Sequence, residues 1–276
     1  MAYLVLENGR KLYYEAEGSG QDVVFIHGWK ASADVYADAS NALTATGSYR
    51  CIRYDQSGHK RSDIPSQGPT LQTLAQDLHS LITRLHLQKP ILVGWSMGAM
   101  TILEYIRLFG SNDLDRIVLV DSGPRALMAE DWRCGRKNGS YTMDDLNGDY
   151  RQMQADFHEF LRLYYLSSKP GYGNLSLAQQ QANVQERMVG FDSRVLTELW
   201  YSMNQRDHRA LLPEITCPVA VFHAEVLPSC TKEAAAYYDR QLRVPHKCVL
   251  FEGCSHALIT EAPQRFTDEL LKFFTH

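Results

Sequence analysis

From residue 23 onward, the β-branched apolar runs of this chain are almost unbroken in hydrophobicity, and nothing else in the sequence constrains the fold as much. They fall at 23 to 27 (VVFIH), 49 to 54 (YRCIRY), 90 to 94 (PILVG), 116 to 120 (RIVLV), 218 to 223 (PVAVFH) and 247 to 251 (KCVLF). A strand with one wet face alternates apolar and polar residues; a run without alternation must be covered on both faces. Helical patterns such as LQTLAQDLHSLITRLHL separate most of the runs. The expected class is therefore α/β, a doubly wound, mostly parallel sheet with helices on both sides. Two earlier runs, 2 to 6 and 11 to 16, bring the strands to eight, and Asn8-Gly9 between them signals a two-residue hairpin. The sheet should begin antiparallel.

Between 124 and 212 the rhythm breaks. No strand pattern occurs there, while aromatics and methionines sit in helical stretches such as DYRQMQADFHEFLRLYYL and SRVLTELWYSMNQRD, with KPGYGN as a loop between helices. The reading is one core domain, 1–123 and 213–276, with a helical cap, 124–212, inserted after the sixth strand. A length of 276 residues suits one large domain of that kind.

Lys and Arg number 28 against 32 Asp and Glu, a net charge of −4, and they are scattered, so no nucleic-acid groove is expected. No apolar run approaches the roughly 18 residues that cross a bilayer. The N-terminus lacks the basic, apolar and small-residue pattern of a signal peptide, which makes a cytoplasmic protein without membrane partners the expectation. The six cysteines are dispersed, with no metal-ligand spacing, and are read as reduced; no metal and no organic cofactor is expected.

The strongest chemical signal is ILVGWSMGAM, a buried strand followed at once by Gly94-Trp95-Ser96-Met97-Gly98 and a helix. Gly-x-Ser-x-Gly in that setting is a nucleophile elbow, whose tight turn leaves little room for side chains beside the serine. A serine hydroxyl needs a base to take its proton. His256, in the loop after the last strand (FEGCSHALITEAPQRF), lies on the same sheet edge as Ser96 and is the candidate. His59, His79, His86, His158 and His208 read as surface residues, and His223 and His246 as structural. An oxyanion needs two amides: those of Trp29, after His27-Gly28, and of Met97 are expected to supply them. His27 is expected chiefly to anchor its turn.

Taken together, FIHGW, YDQSGHKRSD, GWSMG and EGCSHALITEAPQRF stand in the order and spacing of the α/β-hydrolase fold superfamily, which the whole chain resembles. Ser57 and Lys60 depart from it, standing where many members have Arg and Gly. The resemblance implies the order Ser, acid, His, with an Asp in the loop after the penultimate strand. Here that loop reads HAEVLPSC, with Leu227 near the acid's place. Some members carry the acid one strand earlier, where this chain has Asp121 at the end of RIVLVD. Three readings stay open: Asp121 orients His256, Glu225 does so, or no acid does.

The function expected is serine hydrolysis of a small to medium ester, thioester or lactone through an acyl-enzyme on Ser96. Two alternatives accompany it. Cofactor-independent dioxygenases of quinolone-type heterocycles resemble this chain in placing the acid after strand six and use His as the base; a non-catalytic ligand-binding member is the other. The partner expected is a small, apolar or aromatic substrate. Its candidate contacts are His27, Gly28 and Trp95, with Trp132, Phe157, Phe160 and Trp200 from the insertion.

Overall fold

The computed structural model describes residues 2–275. Eight strands form one sheet: β1 (Ala2–Val5), β2 (Lys11–Gly18), β3 (Gln21–Ile26), β4 (Tyr49–Tyr54), β5 (Ile91–Trp95), β6 (Arg116–Val120), β7 (Val219–Ala224) and β8 (His246–Phe251). Their order across it is β1-β2-β4-β3-β5-β6-β7-β8. β1 and β2 pair antiparallel, as do β2 and β4, and every other neighbouring pair is parallel. Gly9 takes φ 82° in the β1–β2 turn, a left-handed conformation that glycine adopts without a Cβ clash. The expected fold class is thus the observed one.

Helices α1 (Ala37–Ala45), α2 (Leu71–Arg84) and α3 (Met97–Phe109) precede β6. Between β6 and β7 come α4 (Arg136–Gly139), α5 (Met143–Ala155), α6 (Phe157–Ser168), α7 (Leu177–Met188) and α8 (Ser193–Asn204). After β7 come α9 (Lys232–Gln241), α10 (Leu258–Glu261) and α11 (Pro263–Phe274). The two faces of the sheet explain the unbroken apolar runs. In β3, Val24 and Ile26 join one buried cluster with α2, α3 and α9, whereas Val23 and Phe25 join a second with α1 and α11. Successive side chains point to opposite faces, so both faces demand apolar residues. In α11 the buried Phe266, Leu270, Phe273 and Phe274 form the inward stripe, each such burial contributing roughly 1.5–3 kcal/mol.

A third cluster belongs to the segment between β6 and β7. Leu161, Leu196, Leu199 and Trp200 pack with Leu71 and Leu74 of α2 and with Met97 and Met100 of α3. The segment therefore sits on the strand C-terminal edge, directly over the start of α3. Among the described residues it carries helices and short turns but no strand of the sheet. The outer ends of the core unit expected from sequence, residues 1 and 276, lie outside the described residues.

Two histidines differ from expectation. His59 and His208 are buried at 0% and 2% exposure. His59 Nε2 accepts the Lys30 N–H at 3.2 Å and its ring sits 4.9 Å from that of His27; burial drives its pKa down to about 3, so the ring is neutral. His208 Nε2 lies 2.9 Å from a buried Glu104 carboxylate that Arg107 and Arg206 also contact. Each ring finds a polar partner inside, which makes burial tolerable.

The glycines of the elbow are fixed by contact. A Cβ on Gly98 would come within 2.0 Å of the Ile26 carbonyl oxygen, and one on Gly94 within 2.5 Å of the Gly98 backbone. We expect Gly98→Ala to lower the unfolding free energy by about 3 kcal/mol, because backbone cannot give way as a side-chain tip can. Gly148→Ala, in α5 with open space around it, should raise it by about 0.5–1 kcal/mol. Urea denaturation of both variants checks the contrast, and a Gly98→Ala change near zero would refute the contact argument.

Candidate active site

The site is built where β5 runs into α3. Ser96 is held at φ 55° and ψ −116°, a conformation an L-residue seldom adopts, and its N–H donates to the Val120 carbonyl at 2.8 Å. The turn lifts the Ser96 side chain to the mouth of the sheet edge, at the N-terminus of α3. The Trp29 and Met97 amides carry no intramolecular hydrogen bond among the described residues. The Trp29 loop is pinned on both sides: its indole Nε1–H donates to the Leu196 carbonyl at 2.9 Å, and the next amide, that of Lys30, to His59.

His256 reaches Ser96 from the loop after β8. Its Nε2 lies 3.0 Å from Ser96 Oγ and its Nδ1 2.6 Å from Asp121 Oδ2. A carboxylate only accepts, so Nδ1 carries the proton, Nε2 accepts, and the serine hydroxyl donates. Trp95, beside the serine, donates its indole N–H to the His256 carbonyl at 2.8 Å. Ser255 N–H and O–H both bond Glu261 at 2.6 Å, which fixes the same loop from the other end.

Asp121 stands just past β6 with φ 44° and is wholly buried. Its Oδ1 accepts the Ala224 N–H at 3.1 Å and the Cys230 N–H at 3.3 Å, and its Oδ2 accepts the Ser229 N–H at 2.9 Å. Burial pushes this carboxyl up, but the hydrogen bond and charge of His256, with the Ser229 and Ala224 amides, outweigh it and hold it below the ordinary range. Glu225 is exposed and turned elsewhere: its Oε2 accepts the Gly253 N–H at 2.8 Å. Of the two candidate acids, only Asp121 meets the imidazole. The end of β7 and the loop after it, whose Glu225 turns away, supply three amides to the carboxylate on the neighbouring strand. Leu227 in it is about half exposed, at φ 49°.

A cavity of about 480 Å³ opens over Ser96 and His256. Of the contacts expected from sequence, Gly28, Trp95 and Trp200 line it together with Trp29, and Phe160 faces an adjoining lobe that also reaches His256. Three others do not line it. His27 is fully enclosed, its Nδ1–H donating to the Gly28 carbonyl at 2.8 Å and its Nε2 accepting the Gln56 N–H at 2.9 Å. Trp132 is buried against Tyr237 and donates to the Arg125 carbonyl at 3.2 Å. Phe157 packs behind Trp29, ring centres 6.1 Å apart. Their own packing and hydrogen bonds turn all three inward. The sequence reading also missed the cavity's cations, Lys30, Lys60, Arg136, Lys169 and Arg187. They come from three separate loops and two helix ends, so no local run of charge could have announced them.

Residues 23–269 match the alpha/beta hydrolase family. The chain belongs to that family. Among its relatives, a protein named non-heme chloroperoxidase CPO-A1, from Kitasatospora aureofaciens, is 26% identical over 284 residues, 99% of either chain. A putative non-heme chloroperoxidase of Synechocystis is 39% identical over 117 residues, which is 42% of either chain. An esterase from Exiguobacterium antarcticum superposes with a TM-score of 0.82 at 24% identity, covering 99% of either chain, and shares the fold.

Both departures from the common pattern of alpha/beta hydrolases have a local account here. Ser57 donates to Asp77 at 2.6 Å while Arg10 reaches in from the β1–β2 turn to bond both residues. Lys60, at φ 46°, donates to the Val189 carbonyl at 2.6 Å and so ties its loop to the segment over the site. Among the described residues all six cysteines are unpaired, no cluster of side chains could hold a metal ion, and no helix is long and apolar enough to cross a membrane.

A carboxyl held low in the fold contributes stability that is present above its unfolded pKa, about 3.9, and is lost as pH falls through the folded value. The difference in urea midpoint between the native protein and Asp121→Asn should therefore be wide at about pH 6 and shrink by about pH 3.5. A gap independent of pH would remove the charge-linked part of the Asp121 account.

Proposed function

We propose that the protein is a serine-type carboxylic ester hydrolase that works through an acyl-enzyme on Ser96. The observation that carries this reading is the line from Ser96 Oγ to His256 Nε2 at 3.0 Å and from His256 Nδ1 to Asp121 at 2.6 Å, placed on a strained elbow. His256 takes the hydroxyl proton as Ser96 attacks the substrate carbonyl. Asp121 keeps Nδ1 protonated and stabilises the imidazolium that forms. The free Trp29 and Met97 amides receive the oxyanion at the positive end of α3. The proton then passes from His256 to the leaving oxygen, and the ring activates a water that releases the acid.

The cavity suits a small to medium ester, thioester or lactone, with Trp29, Trp95, Trp200 and Tyr164 as its aromatic walls. A second reading follows from the relatives named chloroperoxidases. The same acyl group can be taken by hydrogen peroxide in place of water, His256 accepting its proton, and the product is then a peracid. Both readings share the acyl-enzyme, so both need Ser96.

A fluorophosphonate should label the native protein and not Ser96→Ala, and Ser96→Ala and His256→Ala should lose p-nitrophenyl ester turnover. Asp121→Asn should cost on the order of 10⁴-fold in turnover. Glu225→Gln should stay within about tenfold, since it meets only a loop amide. Retention of activity by Ser96→Ala with its loss in His256→Ala, tested on quinolone-type heterocycles under oxygen, would move the chemistry to base-assisted oxygenation. The reverse pattern for the two carboxylates would overturn the assignment of Asp121.

A further inference from the structure

The charges that line the cavity are all of one sign. Lys30, Lys60, Arg136, Lys169 and Arg187 reach it, and no Asp or Glu does, although the chain carries a net −4. Among the described residues none of the five forms an ion pair with a carboxylate, whereas Arg61, Arg125 and Arg209 elsewhere each do. Their polar partners are neutral. Lys30 donates to the Arg187 carbonyl at 3.2 Å, Lys60 to that of Val189, and Arg187 Nε to Asn183 Oδ1 at 2.9 Å.

Three of these cations gather round one ring. The Lys169 ammonium, the Lys30 ammonium and the Arg187 guanidinium stand 4.5, 5.4 and 5.7 Å from the centre of Tyr165. An aromatic face holds cations in place without cancelling their charge. Glu261, the carboxylate that opposes Lys169, has both oxygens engaged by Ser255. Burial and the surrounding cations pull Lys30 down to about 7, and burial with Arg187 pulls Lys169 down to about 8. The group is thus a partly desolvated cluster of like charge that, among the described residues, no carboxylate contacts directly. Such a cluster is costly unless an anion completes it, and a walled cleft concentrates its field.

We propose that the cavity over Ser96 contains an anion subsite, formed by Lys30, Lys169 and Arg187 around Tyr165. The ester it selects then carries a carboxylate or phosphate group apart from the scissile carbonyl. The substrate part of this inference rests on the ester-hydrolase reading; the subsite itself does not. Lys30 follows directly on Trp29, whose amide is the oxyanion donor, so an anion bound there also fixes which end of the substrate faces Ser96. Aromatic walls take the stem and cations the charged end.

The test has a binding arm and a kinetic arm. Tryptophan emission, from Trp29, Trp95 and Trp200 in the cavity wall, is titrated with adipate, with inorganic phosphate and with uncharged hexanediol. At least one of the two anions should saturate the signal, hexanediol should not, and Lys30→Gln and Arg187→Gln should each weaken the anion by about tenfold. The stronger of the two anions identifies the group. In the kinetic arm, mono-p-nitrophenyl adipate should exceed p-nitrophenyl heptanoate in kcat/KM by about tenfold or more, and that ratio should collapse in both variants. Binding of neither anion, equal response to hexanediol, or anion binding unaffected in both variants overturns the subsite. Anion binding without cleavage of either ester, and without fluorophosphonate labelling at Ser96, keeps the subsite and rejects the hydrolase reading. Two variants guard against a single one that fails to fold.

Discussion

The hydrogen bond between His256 and Asp121 is the contact on which the rest of the site depends. It joins loops 135 residues apart in sequence at 2.6 Å, and its carboxylate end is wholly buried. A buried carboxylate is costly unless its lone pairs are met. Here three amides from residues 224 to 230 meet them, and the imidazole takes the remaining direction. That geometry fixes the tautomer of His256, which in turn leaves Nε2 free to face the serine. The sheet order places β7 beside β6, so these amides arrive next to Asp121 by construction.

The elbow and the overlying helices are coupled to that pair through indoles. Trp95 holds the His256 carbonyl, and Trp29 reaches up to Leu196 in α8. Trp29, whose amide is the proposed oxyanion donor, is therefore anchored by its side chain in the segment that roofs the cavity. Displacement of α8 strains the loop that carries Trp29, so the roof and that loop form one mechanical unit.

Much of this was legible in the chain. The strands were, because burial on both faces leaves unbroken apolar runs in VVFIH, ILVGW and RIVLV. The meeting of Ser96 and His256 was legible, because the strand pattern puts the turn after β5 and the loop after β8 on one sheet edge. Asp121 was only one of three open readings, suggested by the resemblance to members that carry the acid one strand earlier, and the sequence did not choose between it and Glu225. Of the cavity lining, Gly28, Trp95 and Trp200 were legible and the charged part was not. Lys30, Lys60, Arg136, Lys169 and Arg187 lie far apart in an acidic sequence, and only the fold turns them toward one space. The inward turn of Trp132, Phe157, His59 and His208 was hidden for a related reason: aromatic and imidazole side chains suit both a core and a pocket, and local sequence does not choose between them.

The loop after β7 has one more consequence. What it gives Asp121, together with the last residue of β7, is main chain, the N–H groups of Ala224, Ser229 and Cys230, and every residue except proline brings the same group. The side chains there are therefore free to drift through evolution while the amides keep their office. A site assembled this way looks broken to a reader who aligns side chains, yet it is complete in the backbone.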